Sequence, residues 1–326
     1  MFSHFMIERQ DPRFIIQIHG GAWDIPADLK NLHIEGVRAA HDAAKDALMS
    51  GLHPLRAIVA ALKVMEDDPV FDAGKGSSLN EDGEVELDAA VMEGKNLQAG
   101  AVASIARFKN PCEIALAVME RTHHVLLIRE GAERFALAQG FSAIDPKELV
   151  DPREYESFEA WVKAGRPDAR LFFDAEGRVN QGRVPTEHEK RGTVGVVLGL
   201  RNGANERHEL FAGISTGGTR AKMAGRVGDA PLVGCGLYAD DEGGAVCCTG
   251  WGEGFIRTVA AKGVSDLIGR GIPPQEAVES ILLNLDRRIH GRGGIIAIGP
   301  DGQSGAAFTT PDMAYAGPSC QKIALQ

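Results

Sequence analysis

The sequence predicts a mixed α/β fold in which helices cover the outer faces of largely antiparallel sheets. Two observations carry this prediction. Short, strongly apolar segments typical of buried strands alternate with longer segments that repeat apolar residues at helical spacing. The chain of 326 residues also divides into two blocks of strands and helices, joined by a segment of mixed aromatic, proline and charged residues at about 140–192. We expect this segment to be an exposed, mobile connector within a single domain.

The first block begins with a predicted strand at 14–19 and a turn at Gly20-Gly21. Apolar residues at helical spacing then predict two helices, over 31–50 and 53–68, each followed by a helix-ending Gly or Pro. After a Gly-rich loop, the remaining elements follow from the apolar pattern. They are strands at 83–94 and 98–108, a helix at 111–119, a strand at 124–128 and a helix at 132–139.

The second block starts abruptly at Thr193, where a run of apolar residues to position 200 predicts a buried strand. The same criteria predict the later elements of this block. They are strands at 207–215 and 245–250, helices at about 252–270 and 274–289, and a final strand pair at 294–299 and 304–310.

Composition argues against several classes of protein. The chain has 35 Lys and Arg against 45 Asp and Glu, a formal net charge of −10, which argues against general binding to nucleic acid or an anionic membrane. No apolar run reaches the ~18 residues that span a bilayer, and the N-terminal segment shows no apolar core of a secretory signal. The five cysteines have no metal-binding spacing. We therefore expect reduced thiols and a cytoplasmic protein.

The segment Gly192-Thr193-Val194-Gly195 joins the connector to a buried strand. If the bond between Gly192 and Thr193 were cleaved, Thr193 would carry both a hydroxyl and a free α-amine. A threonine hydroxyl alone is a poor nucleophile, but an adjacent amine can accept its proton. The reference pKa of such an amine, ~7.7–8.0, suits general-base work near neutral pH. On these residues alone, a threonine that simply opens a strand remains an alternative.

The Gly-rich stretch 216–229 contains Arg226 and Asp229, three positions apart. A guanidinium suits a carboxylate and a carboxylate suits an ammonium, so the pair fits the head group of a free amino acid. A local salt bridge is the alternative. In segment 248–254, backbone N–H groups and the Thr249 hydroxyl at a strand–helix junction suit a developing oxyanion. An ordinary Gly-rich turn explains that segment equally well.

A few other patterns predict chemistry less strongly. Residues 213–217 match G-x-S-x-G and make Ser215 a rival nucleophile, although the glycines that follow are poor helix sequence. The acidic loop 65–75 has two interpretations: its backbone carbonyls bind a cation, or it is an ordinary solvent-exposed loop. The histidines lack metal-binding spacing, and we expect them to be structural. The four considered as candidate ligands are His19, His123, His124 and His188, out of ten in the chain.

Taken in order, these segments resemble the plant-type L-asparaginase / isoaspartyl aminopeptidase family of N-terminal-nucleophile hydrolases. The resemblance covers most of residues 14–300, and its specificity comes from the ordered set. The matching segments are 18–23 (IHGGAW), 68–80 (DPVFDAGKGSSLN), 86–94 (ELDAAVMEG), 100–111 (GAVASIARFKNP), 123–136 (HHVLLIREGAERFA), 192–195 (GTVG), 215–218 (STGG), 225–229 (GRVGD) and 248–255 (CTGWGEGF).

The resemblance implies a precursor that cleaves itself between Gly192 and Thr193, giving an α-chain of residues 1–192 and a β-chain of residues 193–326. It implies a four-layer αββα sandwich and a dimer of αβ units. By matching position, Thr193 is the nucleophile and, through its α-amine, the base, and Thr216 supports it by hydrogen bonding. No catalytic cofactor is implied, and no nucleic-acid or membrane partner.

The resemblance also implies how a small amino acid or dipeptide is held. Arg226 and Asp229 match the groups that bind its α-carboxylate and α-amine. Thr249 and Gly250 match the oxyanion hole, and Gly252 closes the substrate turn. The loop 65–75 matches a structural sodium site formed by backbone carbonyls. By position these belong to Met65, Glu66, Asp68, Phe71, Ala73 and Lys75.

The function implied is hydrolysis of L-asparagine and of β-aspartyl (isoaspartyl) dipeptides through a covalent β-aspartyl intermediate on Thr193. One departure is Asp72, where the family usually has Asn beside the active site. Three alternatives stay open at this point. They are a glycosylasparaginase-like activity on N4-substituted asparagine, a serine hydrolase that uses Ser215, and a non-catalytic binder on the same fold.

Overall fold

The computed structural model describes residues 4–6, 11–166, 192–201, 203 and 207–325. The strands are β1 (His4–Met6), β2 (Phe14–Trp23), β3 (Leu87–Glu93), β4 (Ala99–Ile105), β5 (Leu126–Ile128), β6 (Val194–Leu200), β7 (Glu209–Thr216), β8 (Leu237–Tyr238), β9 (Ala245–Gly250), β10 (Gly293–Ile298), β11 (Ser304–Phe308), β12 (Asp312–Gly317) and β13 (Gln321–Lys322). The helices are α1 (Lys30–Met49), α2 (Pro54–Asp67), α3 (Pro111–Arg121), α4 (Arg129–Ala138), α5 (Pro152–Lys163), α6 (Gly252–Thr258), α7 (Ala260–Gly269) and α8 (Pro274–Ile289), with a 3₁₀ turn at Pro146–Leu149.

The strands form two sheets, which confirms a mixed α/β fold. The first has eight strands in the order β1-β12-β2-β6-β7-β3-β4-β5, and the second has five in the order β13-β11-β10-β9-β8. At the centre of the first sheet, β2, β6, β7 and β3 are all antiparallel neighbours. Only its outer pairs, β1 with β12 and β4 with β5, are parallel.

Apolar residues collect in three buried clusters. One lies between the first sheet and α1, α2 and α3, and a second lies between the second sheet and α7 and α8. The remaining cluster joins side chains of both sheets, among them Ile214 of β7 and Cys247 of β9. Because successive side chains of a strand point to opposite faces, each central strand supplies both a helix-facing and a sheet-facing row. The faces that meet between the sheets also carry the site described below.

The two long N-terminal helices form as predicted because one face of each is apolar. In α1, Val37, Ala40 and Ala44 recur at helical spacing and are fully buried. Helix α2 starts with Pro54, whose missing N–H costs nothing at a first turn, and the Nδ1 atom of His53 accepts the N–H of Leu55 at 3.3 Å.

The predicted turn at Gly20-Gly21 is wrong, because both residues lie inside β2. Gly20 pairs with Val194 of β6, and a Cβ atom on Gly20 would lie 2.4 Å from the ring of Phe71. The glycine therefore provides close packing of the strand on a neighbouring side chain rather than a change of chain direction.

The segment predicted to be an exposed, mobile connector contains regular structure in its first part, which the sequence analysis did not predict. Within 140–166 the chain forms the 3₁₀ turn and helix α5, each begun by an aspartate whose carboxylate accepts a backbone N–H. These caps, Asp145 and Asp151, are the signal that a search for apolar periodicity misses. The rest of the proposed connector, 167–191, lies outside the described residues.

Two features of the second block differ from the prediction. The predicted helix at 252–270 is two helices, because Val259 takes a left-handed backbone conformation (φ 50°) between α6 and α7. The pair β10 and β11 forms as predicted, but it is not the last: β12 follows and inserts between β1 and β2 of the first sheet.

Among the described residues, no helix is long and apolar enough to cross a membrane.

Candidate active site

Thr193 lies at the start of β6, next to the end of β7. Its side-chain hydroxyl donates to the hydroxyl oxygen of Thr216 at 3.2 Å, and the backbone N–H of Gly218 donates to that same oxygen at 3.0 Å. Val194 pairs with Ser215 in the antiparallel ladder, so the two threonines are brought side by side by strand register. Thr193 is buried, with 9% of its surface exposed.

His19 lies beneath Thr193 in the neighbouring strand. It pairs with Gly195, and a Cβ atom on Gly195 would lie 2.3 Å from the His19 ring. Burial lowers the pKa of His19 to about 3, against a smaller opposing effect of the Thr193 backbone. The imidazole is therefore neutral at physiological pH and contributes packing, in keeping with the structural role expected for it.

Thr249 lies on the sheet-facing side of β9. Two residues earlier, the Cys247 thiol contacts the Val196 and Gly213 carbonyls at 3.5 and 3.4 Å, which places β9 across β6 and β7. Because side chains alternate along a strand, Thr249 faces the same interior. It is fully buried, and within the described part of the chain its hydroxyl has no hydrogen-bond partner. A buried, unused hydroxyl is available to a ligand.

Gly250 and Gly252 allow close backbone approach beside Thr249. Gly250 has φ 128°, and a Cβ atom there would lie 2.5 Å from Gly293, so only glycine fits. A Cβ atom on Gly252 would lie 2.7 Å from Asp229 Oδ1 and 3.0 Å from Arg226 Nη2. Gly252 thus brings the first turn of α6 directly against both charged residues.

Arg226 and Asp229 lie together at this turn with different partners. The Nε and Nη2 atoms of Arg226 each lie 2.9 Å from Oε1 of Glu253 in α6. Asp229 is 4% exposed, and its Oδ2 atom has no partner among the residues described. Burial raises the pKa of Asp229 to about 7, and the nearby charge of Arg226 opposes that rise. The turn presents a guanidinium and an unsatisfied carboxyl group to the same space.

Asp72 approaches the site from the loop after α2. Its carboxylate accepts the backbone N–H of Ser78 at 2.8 Å and the Ser78 hydroxyl at 3.2 Å. Its carbonyl accepts the N–H of Gly217 at 2.8 Å. A Cβ atom on Gly217 would lie 2.6 Å from Asp72 Oδ1. The Asp72 carboxylate therefore contacts the residue that directly follows Thr216.

The predicted cation loop is a compact series of turns. The Glu66 carbonyl accepts the Lys75 N–H at 2.8 Å, and the Asp68 carbonyl accepts the Phe71 N–H at 3.2 Å. A Cβ atom on Gly74 would lie 2.3 Å from the Glu66 carbonyl oxygen. Phe71 and Ala73 are fully buried. Of the six carbonyls named above as possible cation ligands, those of Glu66 and Asp68 thus each accept an N–H within the loop. No cluster of His, Cys, Asp and Glu that would hold a metal occurs in the described residues.

The rival nucleophile Ser215 points away from this site. It is fully buried in the middle of the β7 ladder, and its hydroxyl interacts with Glu66 of α2 on the helix-facing side. A nucleophile elbow needs an exposed serine followed at once by a helix. The chain after β7 is a loop. The serine-hydrolase alternative is therefore wrong.

Comparisons with known proteins show which family this chain resembles in sequence. The asparaginase family matches residues 12–324. A plant-type L-asparaginase of Pyrococcus abyssi is 41% identical over 306 residues, covering 92% of this chain and 95% of its own length. An isoaspartyl peptidase/L-asparaginase of Xenopus laevis is 37% identical over 93% of this chain and 91% of its own. An isoaspartyl peptidase of Escherichia coli K12 is 37% identical over 92% of this chain and 91% of its own.

The chain belongs to the asparaginase family. Within that family, the structure adds two site residues that the sequence did not single out. Glu253 pairs with Arg226, and Lys222 is almost fully buried beneath the loop that carries Arg226. Both stand inside motifs already noted, but a single Glu or Lys in a Gly-rich stretch has no periodicity or spacing that predicts its partner. His123 and His124 lie at the surface with their ring centres 4.0 Å apart and the rings tilted by 47°, and His188 lies outside the described residues.

Proposed function

We propose that this member of the asparaginase family is an N-terminal-threonine amidohydrolase that acts on L-asparagine and on β-aspartyl (isoaspartyl) peptides. The observation that carries the proposal is the contact between the Thr193 and Thr216 hydroxyls at the start of a strand. The names of the relatives point to the same two substrate classes. Arg226 and Asp229 lie in one turn, which suits a substrate with a free α-carboxylate and α-amine.

Maturation requires cleavage of the bond between Gly192 and Thr193. The freed α-amine of Thr193 then takes the proton of its own hydroxyl as the oxygen attacks the side-chain amide carbon. Thr249 and Gly250 stabilise the negative charge that develops on the carbonyl oxygen. The amine returns the proton to the departing nitrogen, which leaves as ammonia or as an amino acid. Water attacks the remaining β-aspartyl ester with the same amine as base, releasing aspartate and regenerating Thr193.

Several expectations from the family resemblance remain part of this proposal. They are a four-layer αββα arrangement, an α-chain of residues 1–192 with a β-chain of residues 193–326, and a dimer of αβ units in the cytoplasm. Helix-covered sheets with a shared apolar interior support the first, and five free cysteines are compatible with a reducing compartment. Light scattering of the purified protein measures its mass in solution directly.

The activity is tested with three substrates on the purified protein. We expect release of ammonia from L-asparagine and of the second residue from a β-aspartyl dipeptide. The corresponding α-aspartyl dipeptide is the control, because its peptide carbonyl lies one methylene closer to the α-carbon. Hydrolysis of neither L-asparagine nor the β-aspartyl dipeptide would overturn the proposal.

The pKa of Asp229 predicts an acidic limit to substrate capture. Below about pH 7 the buried carboxyl group of the free protein is neutral and attracts the substrate ammonium less. We therefore expect Asp229 to add a loss of about tenfold per pH unit in kcat/KM for L-asparagine below that point, beyond the loss caused by protonation of the Thr193 amine. In kcat the same limb should lie at lower pH, because bound ammonium favours ionised Asp229.

The variant Asp229→Asn checks this assignment. It should lower kcat/KM at pH 8 by roughly 30-fold or more, as expected for one partner removed from a buried charged contact. It should also remove the part of the acidic limb of kcat/KM that Asp229 contributes, leaving the limb set by the Thr193 amine. An unchanged limb in Asp229→Asn would assign that ionisation to another group.

Asp72 predicts a second effect on pH dependence. An ionised carboxylate near the Thr193 amine favours the protonated amine, which cannot act as base. Asp72→Asn should therefore shift the acidic limb of kcat toward lower pH, by about one unit for a nearby charge. If Asp72 instead serves mainly the loop that it ties to Ser78 and Gly217, the limb will stay in place and the melting temperature will fall.

We further propose that the loop 65–75 binds a structural sodium ion through the backbone carbonyls of the six positions named above. Replacing NaCl by choline chloride at equal ionic strength should lower the melting temperature by several degrees, because a ligand at 100 times its Kd stabilises by about 2.7 kcal/mol. Equal melting temperatures in the two salts would contradict it.

Two glycine variants separate loop shape from general strain. Gly74→Ala places a Cβ atom against the Glu66 carbonyl, so the sodium effect should disappear. Gly51→Ala also sits at positive φ (84°) but meets nothing within 4 Å. It should keep the full difference between the two salts.

A further inference from the structure

Lys222 is a buried lysine between the nucleophile and the substrate-binding turn. Only 3% of its surface is exposed. Its ammonium donates to the carbonyl of Gly217 at 3.0 Å and to the carbonyl of Glu86 at 2.9 Å. Gly217 directly follows Thr216, and Glu86 directly precedes β3. One side chain therefore ties the end of β7 to the start of β3.

The same ammonium lies close to Arg226. A Cβ atom on Gly218 would lie 2.9 Å from Lys222 Nζ and 3.4 Å from Arg226 Nη1. Burial lowers the pKa of Lys222, and the carboxylates of Asp88 and Glu86 oppose that effect. A buried cation that close to a second cation requires compensating carboxylates. The two acidic residues supply them from one side of the site.

Glu86 and Asp88 also hold the loop that carries Arg226. The Glu86 carboxylate accepts the N–H of Gly225 at 2.9 and 3.1 Å. Asp88 pairs with Thr216 in the sheet, and the Gly228 backbone near its carboxyl group opposes the rise in its pKa that burial causes. The residue directly before Arg226 is therefore anchored to a carboxylate whose charge Lys222 balances.

Ser104 shows that this arrangement is imposed on the fold. It has φ 54°, a left-handed conformation that costs of order 1–3 kcal/mol in a residue other than glycine. Its N–H donates to Asp88 at 2.8 Å and its hydroxyl to Glu86 at 2.6 Å. The strained residue orients both carboxylates at once.

We infer that Lys222 is a positioning residue that sets the distance between the Thr193–Thr216 pair and the substrate grip at Arg226. It touches neither substrate nor reacting atoms, and the inference rests on the function proposed above. The consequence is selectivity for side-chain length. A β-aspartyl carbonyl reaches the Thr193 hydroxyl when its α-carboxylate is on Arg226, whereas a γ-glutamyl carbonyl is displaced by one methylene.

The test compares β-aspartyl p-nitroanilide with γ-glutamyl p-nitroanilide. Discrimination by one methylene is worth about 10- to 200-fold in kcat/KM. In Lys222→Met, which removes the ammonium and preserves side-chain length, we expect the ratio of the two kcat/KM values to fall at least tenfold. A ratio is independent of the fraction of folded or cleaved protein, so a merely structural role does not move it.

Lys262→Met is the matched control, because Lys262 is a more exposed lysine of α7 that pairs with Asp266 four residues later. Its ratio should equal that of the wild type. If Lys222→Met does not fold, Lys222→Arg is the variant to measure. It keeps the positive charge but replaces the compact ammonium by a wider, planar guanidinium, so the ratio of the two kcat/KM values should again fall.

An unchanged ratio of the two kcat/KM values in a folded Lys222 variant would overturn this inference. Failure of the proposed function looks different: wild-type protein would then hydrolyse neither L-asparagine nor either p-nitroanilide.

Discussion

Thr193→Ala should remain a single uncut chain with at least about 10⁴-fold lower activity on L-asparagine, the scale seen when a catalytic nucleophile is removed. The variant lacks the hydroxyl that both self-cleavage and amide hydrolysis require. Wild-type protein should instead run on a denaturing gel as two chains, produced by cleavage of the bond between Gly192 and Thr193. N-terminal sequencing of the smaller chain should read Thr-Val-Gly-Val-Val.

Thr193→Ser is the matched control for this experiment. It keeps a hydroxyl and, after cleavage, an α-amine, so it should still be processed and retain measurable activity. The hydrogen bond to Thr216 remains available to a serine at this position. A homogeneous, uncut wild-type chain that is fully active would contradict the proposed nucleophile.

Arg226→Ala should lower kcat/KM for L-asparagine by about 30- to 800-fold, which corresponds to ~2–4 kcal/mol of lost transition-state binding. The reason is geometric as well as electrostatic. Glu253 occupies the Nε and Nη2 atoms of the guanidinium, and the remaining Nη1 side lies near Gly218 and Gly228. Arg226→Lys should recover only part of the loss, because an ammonium cannot contact Glu253 and a substrate carboxylate with the same fork.

Two controls make this result specific. Arg257→Ala removes an exposed arginine from the same helix, α6, and should leave kcat/KM unchanged. With L-asparaginamide, whose α-carboxylate is replaced by a neutral amide, wild type and Arg226→Ala should be similarly slow. If Arg226→Ala matched wild type on L-asparagine, the assignment of Arg226 to the α-carboxylate would be wrong.

The sequence alone predicts most of the regular elements, because their signals are local. Apolar spacing finds α1, α2, α3 and α8, and apolar strand segments find β6, β7, β9 and β10. Signals of another kind are missed. Helix α5 is polar overall and begins at an aspartate cap, and the split at Val259 depends on a single backbone conformation.

The sequence by itself also determines which residues carry the proposed chemistry. The order of motifs picks out Thr193, Thr216, Thr249, Arg226 and Asp229, because each is a chemically distinctive residue in a distinctive context. Their residue types set what they can do: a hydroxyl beside an α-amine, a guanidinium for a carboxylate, and a carboxylate for an ammonium. None of these properties requires knowledge of the fold.

Only the tertiary structure decides which partners these residues meet. The ladder between β6 and β7 aligns Thr193 with Thr216, and packing of β9 across them brings Thr249 to the same interior. Burial of Asp229 and Lys222 changes their pKa values in opposite directions. Strand register and burial arise from contacts between residues far apart in the chain, so no local pattern encodes the pairing of Lys222 with Gly217 and Glu86 across the site.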